Sequence, residues 1–318
     1  MSNENPPTTT EALPERPHKG PNKWLIVGIA VVVVALVVAI VVYATGRNNK
    51  KSTATVTVKI GVTDGAQNHW TILKQKAAAE GINVETVNFS DYTQANPALS
   101  QKQLDLNEFQ HLLYLANYNV SNNDTLVPIG STFIVPLPLY SQKHTSLDEI
   151  PQGGKIAIPN DPTNQARALL VLQSAKLISL KNGGTVFSTP ADIDTANSKV
   201  TVTPVDAAQT VAALPSVDGS IVNNNFAADA KLDPTKALYK DDPSSASAEP
   251  YINAFVARAA DKDNPTYQKI VKLYHDPEVL AAAKSDSKDT AVTVDRPASD
   301  LQSILDGLQT KVKDSKNK

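Results

Sequence analysis

The sequence predicts an α/β fold built on parallel strands and preceded by one membrane-spanning helix. Three stretches carry that prediction. Residues 57–89 read as strand, helix, strand, with a crossover long enough to keep the two strands parallel. Residues 155–173 read as a buried strand, a turn and the start of a helix. Trp24 to Ala44 is a run of 21 residues without a charge, long enough to cross a bilayer core of about 30 Å.

Taken in order, residues 1–23 are rich in Pro, Glu, Thr and Asn, lack an apolar period, and read as a disordered tail. In the span that follows, Trp24 and Tyr43 sit where interfacial anchors belong, and Lys23 and Arg47 close the ends. A cleaved signal peptide is the competing assignment, since Val42-Tyr-Ala44 resembles a cleavage site; the length of the apolar run favours an uncleaved anchor. Basic residues flank both ends, so the positive-inside rule does not orient the span. Residues 45–56 read as a tether.

The domain beyond it spans 57–318. Thr57–Val62 alternates as a first strand, residues 70–80 form a helix closed by Gly81, and Ile82–Phe89 is a second strand. His69 and Trp70 fall in the loop after the first strand, where open α/β sheets bind ligands, although Trp70 equally suits packing at a helix start. A short helix around Pro97 leads to a third strand at 104–106 and a helix over 107–116, whose Phe109, His111 and Tyr114 either wall a pocket for an apolar or thioether side chain or belong to the core. Residues 126–129 and 133–139 are strand-like, the second irregular because of Pro136 and Pro138. Ser146-Leu-Asp-Glu149 has capping-box form and predicts a short helix.

In the stretch Lys155–Gln173, Asp161 suits an N-cap and Pro162 the first helical position. The free N–H groups of that helix start favour an anion, and Asn164 and Arg167 share its face. Arg167 suits bidentate grip of a carboxylate as well as it suits a surface ion pair. Residues 199–204 and 220–222 are strands separated by a small helix at 207–214, capped by Asp206. Asn223-Asn-Asn225 follows at a strand end, offering donors and acceptors to an amino acid or simply making a turn. Residues 241–250 form a polar loop and 251–257 a strand. Helices cover 265–274, 276–284 and 299–312, before a polar, disordered tail at 313–318.

Composition narrows the function. The chain holds 30 Lys and Arg against 32 Asp and Glu, a net charge of -2, which is no footprint for nucleic acid. It has no cysteine, so disulfides, thiolate chemistry and a lipidated-cysteine anchor are excluded. None of the five histidines shares metal-ligand spacing with another. Nucleophile elbows, phosphate loops and dinucleotide fingerprints are missing. The pattern favours a binder without cofactor, metal or catalytic residue over an enzyme.

The order of short motifs is distinctive: Phe89-Ser-Asp-Tyr92, Asn96-Pro-Ala-Leu, Asp105-Leu-Asn-Glu-Phe-Gln-His111, Gly130-Ser-Thr-Phe133, Ile156-Ala-Ile-Pro-Asn-Asp-Pro-Thr-Asn164 with Arg167, Val222-Asn223 and Pro250-Tyr-Ile-Asn253. In these the chain, over roughly 57–285, resembles the methionine-binding lipoproteins, the NlpA-type substrate-binding proteins of methionine ABC importers. The resemblance implies a two-lobed periplasmic-binding-protein fold of type II form, with lobe 1 at about 57–137 plus 226–318 and lobe 2 at about 138–225. It implies that Tyr92, Phe109, His111 and Tyr114 surround a methionine side chain, that Arg167 with Asn164 holds the carboxylate, and that Asn223 binds the α-amino and carboxylate groups. It implies L-methionine or a related amino acid as ligand, ABC permease and ATPase subunits as partners, and an extracytoplasmic domain, which the apolar span 24–44 would tether to the cell membrane by a single pass. A methionine-containing dipeptide as ligand, or a sensor or adhesion module on the same fold, is the alternative. The family's lipobox cysteine is absent here, and the span 24–44 stands in its place. Phe-Gln-His-Leu-Leu-Tyr replaces the more usual Phe-Gln-His-Lys-Pro-Tyr, and Asn224-Asn225 the more usual Thr-Thr.

Overall fold

Alternation puts Val58, Ile60 and Val62 on the buried side of the first strand, β1 (Val56–Val62), where Trp70 and Leu73 of the following helix cover them. That helix spans Asn68–Ala79 and returns the chain to β2 (Ile82–Asn88), parallel to β1 in register from Val56–Ile82 to Val62–Asn88. The computed structural model describes residues 55–317; the tail, the apolar span 24–44 and nearly all of the tether lie outside the described residues. Among the described residues no helix is long and apolar enough to cross a membrane.

Two five-stranded sheets organise the domain. The first has the order β2-β1-β3-β11-β4, with β3 (Leu106–Glu108) parallel to β1, and β11 (Ala254–Arg258) antiparallel to both β3 and β4 (Leu126–Ser131). The second has the order β10-β6-β9-β7-β8. Its β7 (Gly154–Pro159) lies parallel to β8 (Val200–Val205) and β9 (Gly219–Ile221), while β6 (Pro138–Tyr140) is antiparallel to β9 and to β10 (Tyr239–Lys240). A two-stranded ribbon pairs β5 (Phe133–Ile134) with β12 (Val292–Thr293). The chain therefore crosses between sheets twice, through 135–137 and 241–253. Each sheet has its own apolar cluster: Leu113, Leu115, Leu301 and Leu305 pack by the first, and Ile156, Ile158, Leu169 and Leu172 by the second.

Several sequence expectations shift. The helix assigned to 107–116 begins only at Leu112 and runs to Asn122, because Leu106–Glu108 is fully buried and pairs with β1 instead. Residues 146–149 form no helix: the Glu149 carboxylate reaches back to accept the backbone N–H of Thr145 at 2.7 Å. The short helix near Pro97 spans Tyr92–Ser100 and is capped by Asp91. The amides at 223–225 open a helix, Asn224–Asp229. The tail expected from 313 is helical to Lys316, since Leu305, Leu308 and Val312 keep one face of Ala298–Lys316 buried. Finally, β10 pairs with β6 in the second sheet, although the expected split assigned 226–318 to the first lobe. The strand over 133–139 breaks in two around Val135–Leu137. By contrast the helix 265–274 and the start of the helix at Pro162 stand where the sequence puts them.

Candidate ligand site

Asp161 ends the turn after β7, and its carboxylate accepts the backbone N–H of Asn164 at 2.9 Å, capping the helix Pro162–Ser174. Pro162 at the first position removes an N–H that has no helical partner anyway. The Asn164 side chain donates back to the same carboxylate at 3.1 and 3.2 Å. This locks its Oδ1 outward, where it accepts the Asn223 amide at 3.1 Å and lies 3.4 Å from Nε2 of His111. One helical turn on, Arg167 is only 4% exposed. Its Nε donates to Asp241 at 2.7 Å, one Nη donates to the carbonyl of Val135 at 2.8 Å, and the guanidinium lies 4.1 Å over the ring of Tyr251. Among the described residues the other Nη makes no hydrogen bond within the protein, which leaves the end of the fork for an anion.

His111 is the N-cap of the helix Leu112–Asn122, and its Nδ1 accepts the backbone N–H of Tyr114 at 3.0 Å. An accepting Nδ1 places the ring proton on Nε2. Burial, helped by the Arg167 charge, pulls the imidazole down to about 3, so it is neutral at neutral pH. Tyr92, Phe109 and Tyr114 close an aromatic box with ring centroids 5.7–6.2 Å apart. Phe226, from the far side, adds a ring 5.2 Å from that of Tyr92. The Tyr92 hydroxyl donates to Oδ1 of Asn225, and burial holds its phenol well above the ordinary range.

All seven residues expected from the sequence, Tyr92, Phe109, His111, Tyr114, Asn164, Arg167 and Asn223, line one cavity of about 360 Å³, within the range of small-molecule sites. Lining residues with a buried polar atom that has no hydrogen-bond partner among the described residues include Asn223 at Oδ1, Asn225 at Nδ2 and His69 at Nε2, and of these Oδ1 of Asn223 is the amide acceptor. An unpaired buried acceptor costs about 1–3 kcal/mol until a donor meets it. The cavity thus pairs a cationic fork with an acceptor at one side and an aromatic box at the other. A small molecule with a carboxylate, an ammonium and a compact apolar side chain answers all three.

Sequence reasoning missed four contributors. Tyr251 stacks on Arg167 and faces His111 with centroids 5.3 Å apart. It sits inside the quoted Pro250–Asn253 motif, which was the available signal. Asn225 and Phe226 follow the predicted Asn223 directly. Asp241 had no local signal, since its partner is 74 residues away. Trp70, by contrast, is fully buried in the core and donates to Asp64 at 2.7 Å. His69 lines the cavity with its Nδ1 2.9 Å from the Asp286 carboxylate and its Nε2 3.8 Å from that of Asp64. Glu108, beside them, is raised to about 8 by burial and by the nearby Asp64 charge. Among the described residues no group of side chains is arranged to hold a metal ion.

The NlpA lipoprotein family profile matches residues 58–294. The probable D-methionine-binding lipoprotein MetQ of Haemophilus influenzae is 34% identical over 266 residues, covering 82% of this chain and 96% of that protein. The substrate binding protein of a methionine transporter from Streptococcus pneumoniae superposes with a TM-score of 0.70 at 35% identity, over 75% of this chain and 95% of that one. A nutrient binding protein from Burkholderia cenocepacia, solved bound to methionine, gives 0.69 at 38% identity, over 74% and 99%. The chain belongs to the NlpA lipoprotein family and has the mixed α/β fold of these substrate-binding proteins.

Proposed function

We propose that this member of the NlpA family is the extracytoplasmic receptor of an ABC importer, binding methionine between two lobes and handing it to the permease and its ATPase. The observation that carries this is the composition of the cavity: the free end of the Arg167 fork, the unpaired Oδ1 of Asn223 and the box of Tyr92, Phe109 and Tyr114. Arg167 takes the carboxylate bidentately. Asn223 takes the ammonium, with Asn164 and neutral His111 completing the polar rim. The thioether packs against ring edges, as sulfur favours. The relatives named above, a probable D-methionine-binding lipoprotein, a methionine transporter's substrate binding protein and a protein solved with methionine bound, support the same ligand.

Each sheet heads one lobe, in the two-lobed type II form. The crossovers 135–137 and 241–253 form the hinge, and the second lobe extends through β10. Cross-lobe bonds from Tyr92 to Asn225 and from His111 to Asn164 belong to the closed form. The span Trp24–Ala44 serves as a single-pass anchor in place of a lipid. The receptor binds and releases without chemistry.

Thermal unfolding of the purified chain, denatured and refolded to strip carried-over ligand, tests the substrate. Methionine at about 100 times Kd should add roughly 2.7 kcal/mol, a rise of roughly 5–10 °C for a domain of this size. Other amino acids and methionine-containing dipeptides should shift it less. A larger shift with one of them replaces the ligand and keeps the site.

A further inference from the structure

The guanidinium that faces the cavity also ties the two crossovers together, through one residue. Asp241 directly follows β10, at the start of the return crossover. One of its carboxylate oxygens accepts the backbone N–H of Leu137 at 2.7 Å, and the other accepts Nε of Arg167 at 2.7 Å. Leu137 lies on the outgoing crossover, as does Val135, whose carbonyl accepts the second Arg167 donor at 2.8 Å. Arg167, Asp241 and the segment 135–137 therefore form a closed ring of three hydrogen bonds spanning both hinge strands. Two of the ring's bonds consume the Nε edge of the guanidinium and one Nη hydrogen. They leave the end of the fork turned to the cavity, with Tyr251 stacked against its face.

We propose that Asp241 is a positioning residue for ligand recognition: by holding the Nε edge of Arg167 against the hinge, it aims the fork at the ligand carboxylate and couples capture of that carboxylate to hinge geometry. This rests on the assignment of Arg167 to the carboxylate made above. Two effects compete when the charge is removed. Loss of orientation weakens binding, because the long side chain regains rotamers it must then give up. Loss of a neighbouring anion strengthens the pull of the guanidinium on the ligand. The ring geometry makes orientation the larger effect, since both carboxylate oxygens are used and an amide can satisfy only one of the two N–H donors.

The test is Asp241→Asn in the full-length chain, with calorimetric affinities for L-methionine and for L-methioninamide, which lacks the carboxylate charge. The unaltered chain should prefer methionine. In the variant the methionine Kd should rise about ten-fold, within the roughly 5–150-fold range of site couplings, while the amide Kd stays unchanged, so the preference collapses. A role confined to stability would lower Tm and leave the ratio of the two affinities intact; that outcome overturns the proposal, as does tighter methionine binding. Should the Asn variant not fold, Asp241→Glu, which keeps the charge but displaces the carboxylate, is measured the same way and must also reduce the ratio. If the unaltered chain binds no methionine, the receptor assignment falls and this inference with it; an unchanged ratio in a variant that binds methionine removes this inference alone.

Discussion

Replacing His111 separates two jobs that one imidazole performs. Its Nδ1 caps the helix Leu112–Asn122 by accepting the Tyr114 N–H at 3.0 Å, and its Nε2 faces Asn164 across the cleft at 3.4 Å. The ring is 7% exposed and neutral, so its removal deletes packing and hydrogen bonds, not a charge. Loss of a cap costs about 1 kcal/mol. The ring also contacts Tyr251 and Tyr114 edge-on, at 5.3 and 6.3 Å, and the packing lost with it adds roughly 1–2 kcal/mol. The 3.4 Å contact is too long to add much. His111→Ala should therefore lower unfolding free energy by about 2–3 kcal/mol. Asparagine is a good N-cap but too short to reach Asn164. His111→Asn should recover about 1 kcal/mol of that loss while methionine affinity stays as low as in the Ala variant. Urea denaturation gives the first quantity and calorimetry the second. An Asn variant as unstable as the Ala variant refutes the capping argument, and one with unaltered affinity removes His111 from the ligand.

Arg167→Ala should cost about 2–5 kcal/mol of methionine binding, the loss of a buried charge partner; calorimetry showing unchanged Kd takes Arg167 out of the site. Arg167→Lys should recover little, because an ammonium cannot supply the fork. Glu108 makes stability fall as pH rises: its folded pKa of about 8 lies above the unfolded carboxylate value, so its contribution is complete below about 4.5 and lost toward pH 8. His111 works oppositely, its contribution present above about 6.5 and lost toward pH 3. Glu108→Gln should abolish the fall in Tm between about pH 6.5 and 8, while the His111 limb below about pH 6.5 remains. Gly130→Ala should destabilise by about 1–3 kcal/mol, because a Cβ there would meet Val271 at 2.2 Å; a neutral denaturation midpoint would show that the helix Pro265–Tyr274 gives way.

Local chemistry wrote some of this fold plainly into the chain. Asp161-Pro162 announces a helix start because a cap and a missing N–H act within three residues. Phe109, His111 and Tyr114 cluster because they are neighbours in sequence. The rest depends on partners that a linear pattern does not show. Leu106–Glu108 looks like the lead-in to a helix and becomes a strand because β1 is there to pair with it. Tyr239–Lys240 is too short to read as a strand and exists by pairing with β6. Asp241 reads as one polar residue in a polar loop, yet it meets Arg167 across 74 positions. The motif order brought forward the residues that line the cavity, while the contacts that hold them in place came from tertiary packing.

Equilibrium dialysis of the refolded full-length chain against labelled L-methionine tests the assignment most directly. One mole bound per mole of protein, displaced by excess unlabelled methionine and abolished in Arg167→Ala, is the predicted result. No saturable binding by a chain that refolds to a cooperative thermal transition would contradict it.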